Sequence, residues 1–182
     1  MPEVRLRQAA ESDKAIFSGH FQDYLAELAE FSRARPDRRG VFHYDQFDLY
    51  WRERRRMPFF IESDGETAGL LLLRELDETE SAAGRGSLQV AEIYVFKGHR
   101  RRAIARETMR LAARMAVERD LPLTWSAYIN NGPANALYRL VLDEFGAKDG
   151  AWRTRRTRGI DRGGLARFYY SMAPAAINEK TA

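Results

Sequence analysis

AEIYVFKGHRRRAIARETMRLAARMA, residues 91–116, changes character at its middle. Ala91–Val95 is the end of a run, SLQVAEIYV (87–95), that reads as a strand. From Arg100 to Asp120 the pattern is helical, with Ile104, Thr108, Leu111, Ala112 and Met115 on one face and Arg106, Arg110 and Arg114 on another. Glu107 precedes Arg110 by three residues and Glu118 follows Arg114 by four, spacings that pair charges along a helix. Three arginines, 100–102, stand at the joint. A helix start offers unpaired amides and the positive end of a dipole, and arginines beside it add bidentate donors suited to phosphate. Small residues such as Ala103 and Ala105 let a phosphate approach the backbone. The joint is therefore read either as a pyrophosphate site over 100–106 or as a solvated basic helix start. It is neither a Walker A loop nor a GxGxxG dinucleotide loop.

Outward from this joint the chain alternates strands and helices. VRLRQA (4–9) reads as a first strand, and residues 11–35 as a helix capped by Ser12 or Asp13. A second short helix is expected over 44–56, its RERRR end solvated. Residues 57–76 read as a hairpin turning at Asp64-Gly65, and 77–87 as a loop. Downstream, 121–129 reads as a strand, 134–145 as a helix, and WRTRRTR (152–158) with LARFYYSM (165–172) as a closing hairpin around a Gly-rich turn. The order predicts an α/β or α+β fold with one mixed sheet, strands 2 to 4 antiparallel, and a crossover before the fifth strand long enough to be parallel. One domain over 1–173 with a frayed tail over 174–182 is expected.

Composition narrows the chemistry. The 182 residues hold no cysteine, so disulfides, thiolate metal sites and a thiol nucleophile are excluded. His20, His43 and His99 lack metal-ligand spacing, and no metal is implied. No apolar run of about 18 residues offers a membrane span, and the N-terminus lacks a signal-peptide core, so a cytoplasmic protein is expected. The formal charge of +4 suits an anionic small ligand or a nucleic acid and does not choose between them.

The joint resembles motif A of the GCN5-related N-acetyltransferase (GNAT) superfamily, an (Arg/Gln)-x-x-Gly-x-(Gly/Ala) stretch following a strand that ends in Val. Arg100-Arg101-Arg102-Ala103-Ile104-Ala105 fills it, with Val95 upstream and Ala103 standing where Gly is usual. The second signature, Asn-x-x-Ala-x-x-(Phe/Leu)-Tyr, is met by Asn131, Ala134, Leu137 and Tyr138. VRLRQAAESD, FFIESDGETAGLLLL and LARFYYSM are similar to the family's opening, second-to-third and closing strands. The resemblance implies a mostly antiparallel sheet of about seven strands, helices on both faces, and a parallel, splayed fourth and fifth pair holding the pantetheine arm of acetyl-CoA. The backbone at Tyr94 and Val95 would bond the pantetheine, the amides of Arg101 to Ala105 would hold the pyrophosphate, and Asn131 would bond the pantetheine or a water. Ala103 is expected inside the helix, where its backbone angles need no Gly. Tyr138 would protonate the leaving thiolate, consistent with a phenol's ordinary pKa of about 10.

An alkyl amine must lose a proton before it attacks. Glu92, three residues before Val95, is either the base that takes the proton or an outward-facing strand residue. His99 is placed beside the phosphate rather than in the proton path. The implied activity is direct transfer of acetyl from acetyl-CoA to a primary amine, on a small molecule or a peptide, in a ternary complex; a homodimer is compatible. A CoA-binding domain with little chemistry is the alternative. So is a basic nucleic-acid module using the arginines at 52–56, 100–102 and 153–158, although no nucleic-acid motif is present. Within the enzyme reading, 152–158 would favour an acidic acceptor.

Overall fold

The computed structural model describes residues 2–81, 83, 85–146 and 152–175. It contains one seven-stranded sheet in the order β1-β2-β3-β4-β5-β7-β6. Its strands are β1 (Val4–Gln8), β2 (Arg56–Ser63), β3 (Glu66–Leu76), β4 (Ser87–Val95), β5 (Leu123–Tyr128), β6 (Trp152–Ile160) and β7 (Ala166–Pro174). The helices are α1 (Lys14–Ser32), α2 (Ile104–Glu118) and α3 (Gly132–Gly146). β4 and β5 run parallel, with Leu88, Gln89 and Val90 opposite Leu123, Thr124 and Trp125. The pairs β1–β2, β2–β3, β5–β7 and β6–β7 are antiparallel. The mixed sheet with a single parallel pair is the one the element order predicts. Seven residues of the expected tail, 176–182, lie outside the described residues.

The described residues group into two compact units. One holds the residues up to Arg74 with Ala91–Thr108; the other holds Glu75–Val90 and the residues from Met109 onwards. The first unit is built on the β2–β3 hairpin. Asp64 and Gly65 both take positive φ, 52° and 85°, the geometry that matches the twist of a two-residue hairpin turn. Phe60, Leu70 and Leu72 from the hairpin bury against Phe17, Phe21 and Leu25, spaced four apart on α1. α1 stops three residues short of its expected end: Arg33 turns left-handed (φ 60°) and donates its amide to the Ala29 carbonyl at 3.0 Å. The start of α1 differs as well. The Asp13 carboxylate does not cap the helix; it accepts from the Ala10 amide and from Arg7.

The second helix expected over 44–56 is not formed. The segment makes one 3-10 turn, Asp48–Trp51. Its amide bonds run Phe47 to Tyr44 and Tyr50 to Phe47, three residues back. In that geometry side chains three apart eclipse, which lines Tyr44, Phe47 and Tyr50 along one edge against α1. Arg52–Arg55 are exposed on a turn rather than on a helix end, and Arg56 begins β2.

In the second unit, Trp125 of β5 stacks on Tyr170 of β7 with the rings 5° from parallel and 5.6 Å apart. α2 buries Met109, Ala112, Ala113 and Ala116, a face rotated from the expected one so that Leu111 and Met115 are half-buried.

Candidate active site

Beyond Val95 the chain makes a short 3-10 turn, Lys97–His99, and then leaves the expected helical path. Arg100 is extended, while Arg101 and Ala103 are left-handed, with φ of 63° and 60°. α2 begins only at Ile104, so Arg100, Arg101, Arg102 and Ala103 precede the helix instead of forming its first turn. Arginine and alanine favour helix, and the tight change of direction after β4 overrides that preference. The Ala103 carbonyl accepts the Glu107 amide at 3.0 Å, which makes Ala103 the residue that caps the helix start. Its methyl side chain can accept nothing, so it satisfies none of the free amides. The backbone amides from Arg101 to Arg106 have no acceptor among the described residues. Ile104 is buried and anchors the turn, Ala105 is half-buried, and Arg101 and Arg102 are exposed. The Nε of Arg106 is buried with no hydrogen-bond partner among the described residues. A row of free amides at a helix start, flanked by guanidinium groups, fits a pyrophosphate.

Arg100 takes a different part. Its Nε donates to the Val95 carbonyl at 2.9 Å and its Nη2 to Glu27 Oε2 of α1 at 2.7 Å, with the guanidinium 5.4 Å from the Tyr94 ring centre. Tyr94 in turn donates its hydroxyl to Glu27 Oε1 at 2.7 Å. Burial opposes charge on Glu27, but the hydrogen bonds from Tyr94 and Arg100 and the charges of Arg100 and Lys97 outweigh it and hold the carboxyl below its ordinary range. Burial, and then the bond to Glu27, pushes the Tyr94 phenol up to about 12. Arg100 thus braces the loop against α1, and the Val95 carbonyl, expected to face a ligand, accepts from it. Gly69 of β3 lets the end of β4 come this close: a Cβ there would sit 2.2 Å from the Tyr94 carbonyl oxygen. His99 places its Nε2 4.0 Å from Glu66.

Glu92 is half-buried on β4 and points at a set of phenols. Tyr24 of α1 donates its hydroxyl to Glu92 Oε2, and the Tyr44 phenol lies within range of the carboxylate's charge. Burial and the Glu92 charge push the Tyr44 phenol well above its ordinary range, and push Tyr50 up to about 12. Glu92 is therefore an inward-facing carboxylate oriented by the Tyr24 hydroxyl, not a solvent-facing strand residue. Tyr24 and Tyr44 escaped notice in the sequence because they look like any helix-spaced core aromatics; the only signal was a carboxylate in an apolar strand that must find partners.

Asn131 and Tyr138 belong to the second unit. Asn131 Oδ1 accepts the Ala134 amide at 3.1 Å and caps α3. Tyr138 is buried, edge-on to Trp125 (5.9 Å) and Tyr170 (5.4 Å). A residue missed in the sequence holds this cluster. Asn135 is buried, donates its side-chain amide to the carbonyls of Tyr128 (2.9 Å) and Ile129 (3.1 Å), and accepts the Tyr170 hydroxyl at 2.7 Å. An Asn inside an otherwise apolar helix face was the available signal.

Residues 22–141 match the family model described as Acetyltransferase (GNAT) family. Curated protein sequences give no match. Among solved structures, the chain is similar to NAA60 of Arabidopsis thaliana in complex with a bisubstrate analogue, at 13% identity over 93% of this chain and 97% of that one, TM-score 0.61. It is similar to an acetyltransferase from Thermus thermophilus at 17% identity over 94% and 96% of the two chains, TM-score 0.61. A third likeness is to the aminoglycoside N-acetyltransferase AAC(6')-Iy in complex with CoA, at 12% identity over 78% and 88%, TM-score 0.54. At these identities the likenesses speak for the fold, and the family model, covering well over half the sequence, goes further: the chain belongs to the GNAT family of acetyltransferases.

Proposed function

We propose that the protein moves an acetyl group from acetyl-CoA to a primary amine by direct attack in a ternary complex, as one acyltransferase domain over 1–173. The observation that carries this reading is the run of free amides from Arg101 to Arg106, placed directly after β4 where the family holds a pyrophosphate. Arg101 and Arg102 add charge to that site, and Arg100 fixes the shape of the loop. Acetyl-CoA supplies the activated thioester. Glu92, aimed by Tyr24, accepts the proton of the incoming amine directly or through water. Tyr138, held in its aromatic cluster, donates to the departing thiolate, and Asn131 bonds the pantetheine through the part of its amide not used in capping α3. With no cysteine in the chain, no thiol acyl-enzyme intervenes.

The test is thermal denaturation with acetyl-CoA, CoA and ADP, followed by thiol release with a panel of primary amines. At a hundred times its dissociation constant a native-state ligand contributes about 2.7 kcal/mol. The expected result is a raised Tm with all three, greatly reduced in an Arg101→Glu, Arg102→Glu variant. No shift with any of them in the wild-type protein would overturn the reading.

A further inference from the structure

The β6–β7 hairpin carries charge out of proportion to its length. Residues 152–174 hold six arginines and one acid, a net +5 against +4 for the whole chain, so all other residues together sum to −1. The acid, Asp161, is used within the turn: its carboxylate accepts from the Gly163 and Leu165 amides and from Arg167 Nε, each at 2.9 Å. Arg155, Arg156 and Arg158 have no ion pair among the described residues.

β6 is also the last strand of the sheet, and Arg153 through Arg158 are all exposed. One of its edges pairs with β7 from Trp152–Pro174 to Ile160–Ala166. The other has no partner among the described residues, and nine residues present about 30 Å of open backbone. Such an edge recruits a further extended chain. A second copy of β6 would set arginine opposite arginine, which destabilises pairing. An acidic strand would instead meet opposite charge on both faces, because alternation puts Arg153 and Arg155 on one and Arg156 and Arg158 on the other.

Nucleic acid is the competing polyanion, and the surface suits it less. Single strands need open aromatic faces for their bases. Here Arg156 lies over the Phe168 ring at 4.9 Å and Arg167 over Tyr128 at 3.8 Å. Tyr170 is stacked on Trp125, and the Tyr169 ring lies so close to Gly159 that a Cβ there would be 2.9 Å from it. A single row of phosphates would also find only half of the β6 arginines on its side of the strand.

We infer that the open edge of β6 is a docking strand for an extended acidic peptide segment of another protein. The inference stands independently of acetyl transfer. The experiment is fluorescence anisotropy with a labelled ten-residue peptide of alternating Glu-Glu and Thr-Thr pairs, which sets Glu on both faces of a strand, the same peptide N-methylated at alternate backbone positions, and a single-stranded oligouridylate of matched charge. The expected result is salt-sensitive binding of the unmodified peptide, weakened about tenfold or more in an Arg155→Glu, Arg156→Glu, Arg158→Glu variant and largely kept when the same three residues become Lys. A single cooperative thermal unfolding transition near the wild-type Tm in both variants shows that they are folded, and because this control needs no acetyl-CoA it separates this test from that of the transfer reaction. Tighter binding of the oligouridylate, equal binding of the N-methylated peptide, or wild-type affinity in the Glu variant would each overturn the inference.

Discussion

Ala103 carries the sharpest message at the scale of single residues. It occupies a left-handed conformation, φ 60°, that costs an L-residue about 1–2 kcal/mol and costs glycine almost nothing. Part of that gain is returned because glycine enlarges the unfolded ensemble. Ala103→Gly is therefore expected to stabilise the protein by about 0.5–1 kcal/mol, read as a higher Tm, and to tighten acetyl-CoA by removing a methyl group beside the free amides. An unchanged or lower Tm would show that the loop is not under this strain. The sequence showed the departure from the family's Gly but not its cost, because the residue looked helical and helical angles suit alanine. Tyr94 and Glu27 give a pH signature. A phenol held near 12 in the fold and about 10 when unfolded contributes fully below pH 10, and the contribution disappears as pH rises toward 12. The depressed Glu27 carboxyl works the other way: its contribution is present above its unfolded pKa of about 4.3 and is lost as pH falls through its lower folded value. Tyr94→Phe should lower Tm at neutral pH and flatten the fall between pH 10 and 12, measured by thermal denaturation across that range.

Elements depend on two residues that make room or fill a gap. In β3, Gly69 admits the backbone of β4; an Ala there would place Cβ 2.2 Å from the Tyr94 oxygen and 3.1 Å from Val95 Cα, and neither is a movable side-chain end. Gly69→Ala is expected to destabilise by about 3 kcal/mol, the upper range for overpacking, and to weaken acetyl-CoA because it displaces the strand that carries the site. Equilibrium unfolding in urea checks the first part. At the start of α3, Asn135→Ala would remove the side-chain donor to the Ile129 carbonyl and the acceptor of the Tyr170 hydroxyl, and leave the Tyr128 carbonyl with the Asn131 amide, at a cost on the order of 3 kcal/mol. Loss of less than about 1 kcal/mol in the same assay would mean that water replaces the amide. Element types were legible wherever side-chain period and turn chemistry agreed, as in the hairpin at Asp64-Gly65. The segment 44–56 was misread because aromatics spaced by three satisfy a helix pattern and a 3-10 turn alike, and only the amide bonds decide between them.

For the molecule as a whole, two facts of spacing account for part of the sheet: short turns make β2–β3 and β6–β7 antiparallel neighbours, and the helical crossover through α2 makes the parallel pair β4–β5. That much was readable from the spacing of strands and helices. The candidate site was readable in part, since the arginine joint and Tyr138 lie in motifs, whereas Tyr24, Glu27, Tyr44 and Asn135 reach their partners only through folding and leave no local mark. The charge of 152–158 was visible too; its place on the open edge of the sheet emerges only when β6 is seen as the outer strand. That placement makes the protein its own reporter of fraying. Trypsin cuts after arginine, and Arg153, Arg155, Arg156 and Arg158 stand side by side in a strand that pairs with β7 alone among the described residues. While β6 stays zipped to β7, a protease cannot draw it into its cleft. Cleavage within 153–158 under native conditions should therefore track the opening of this strand, and any peptide that seals the free edge should slow it.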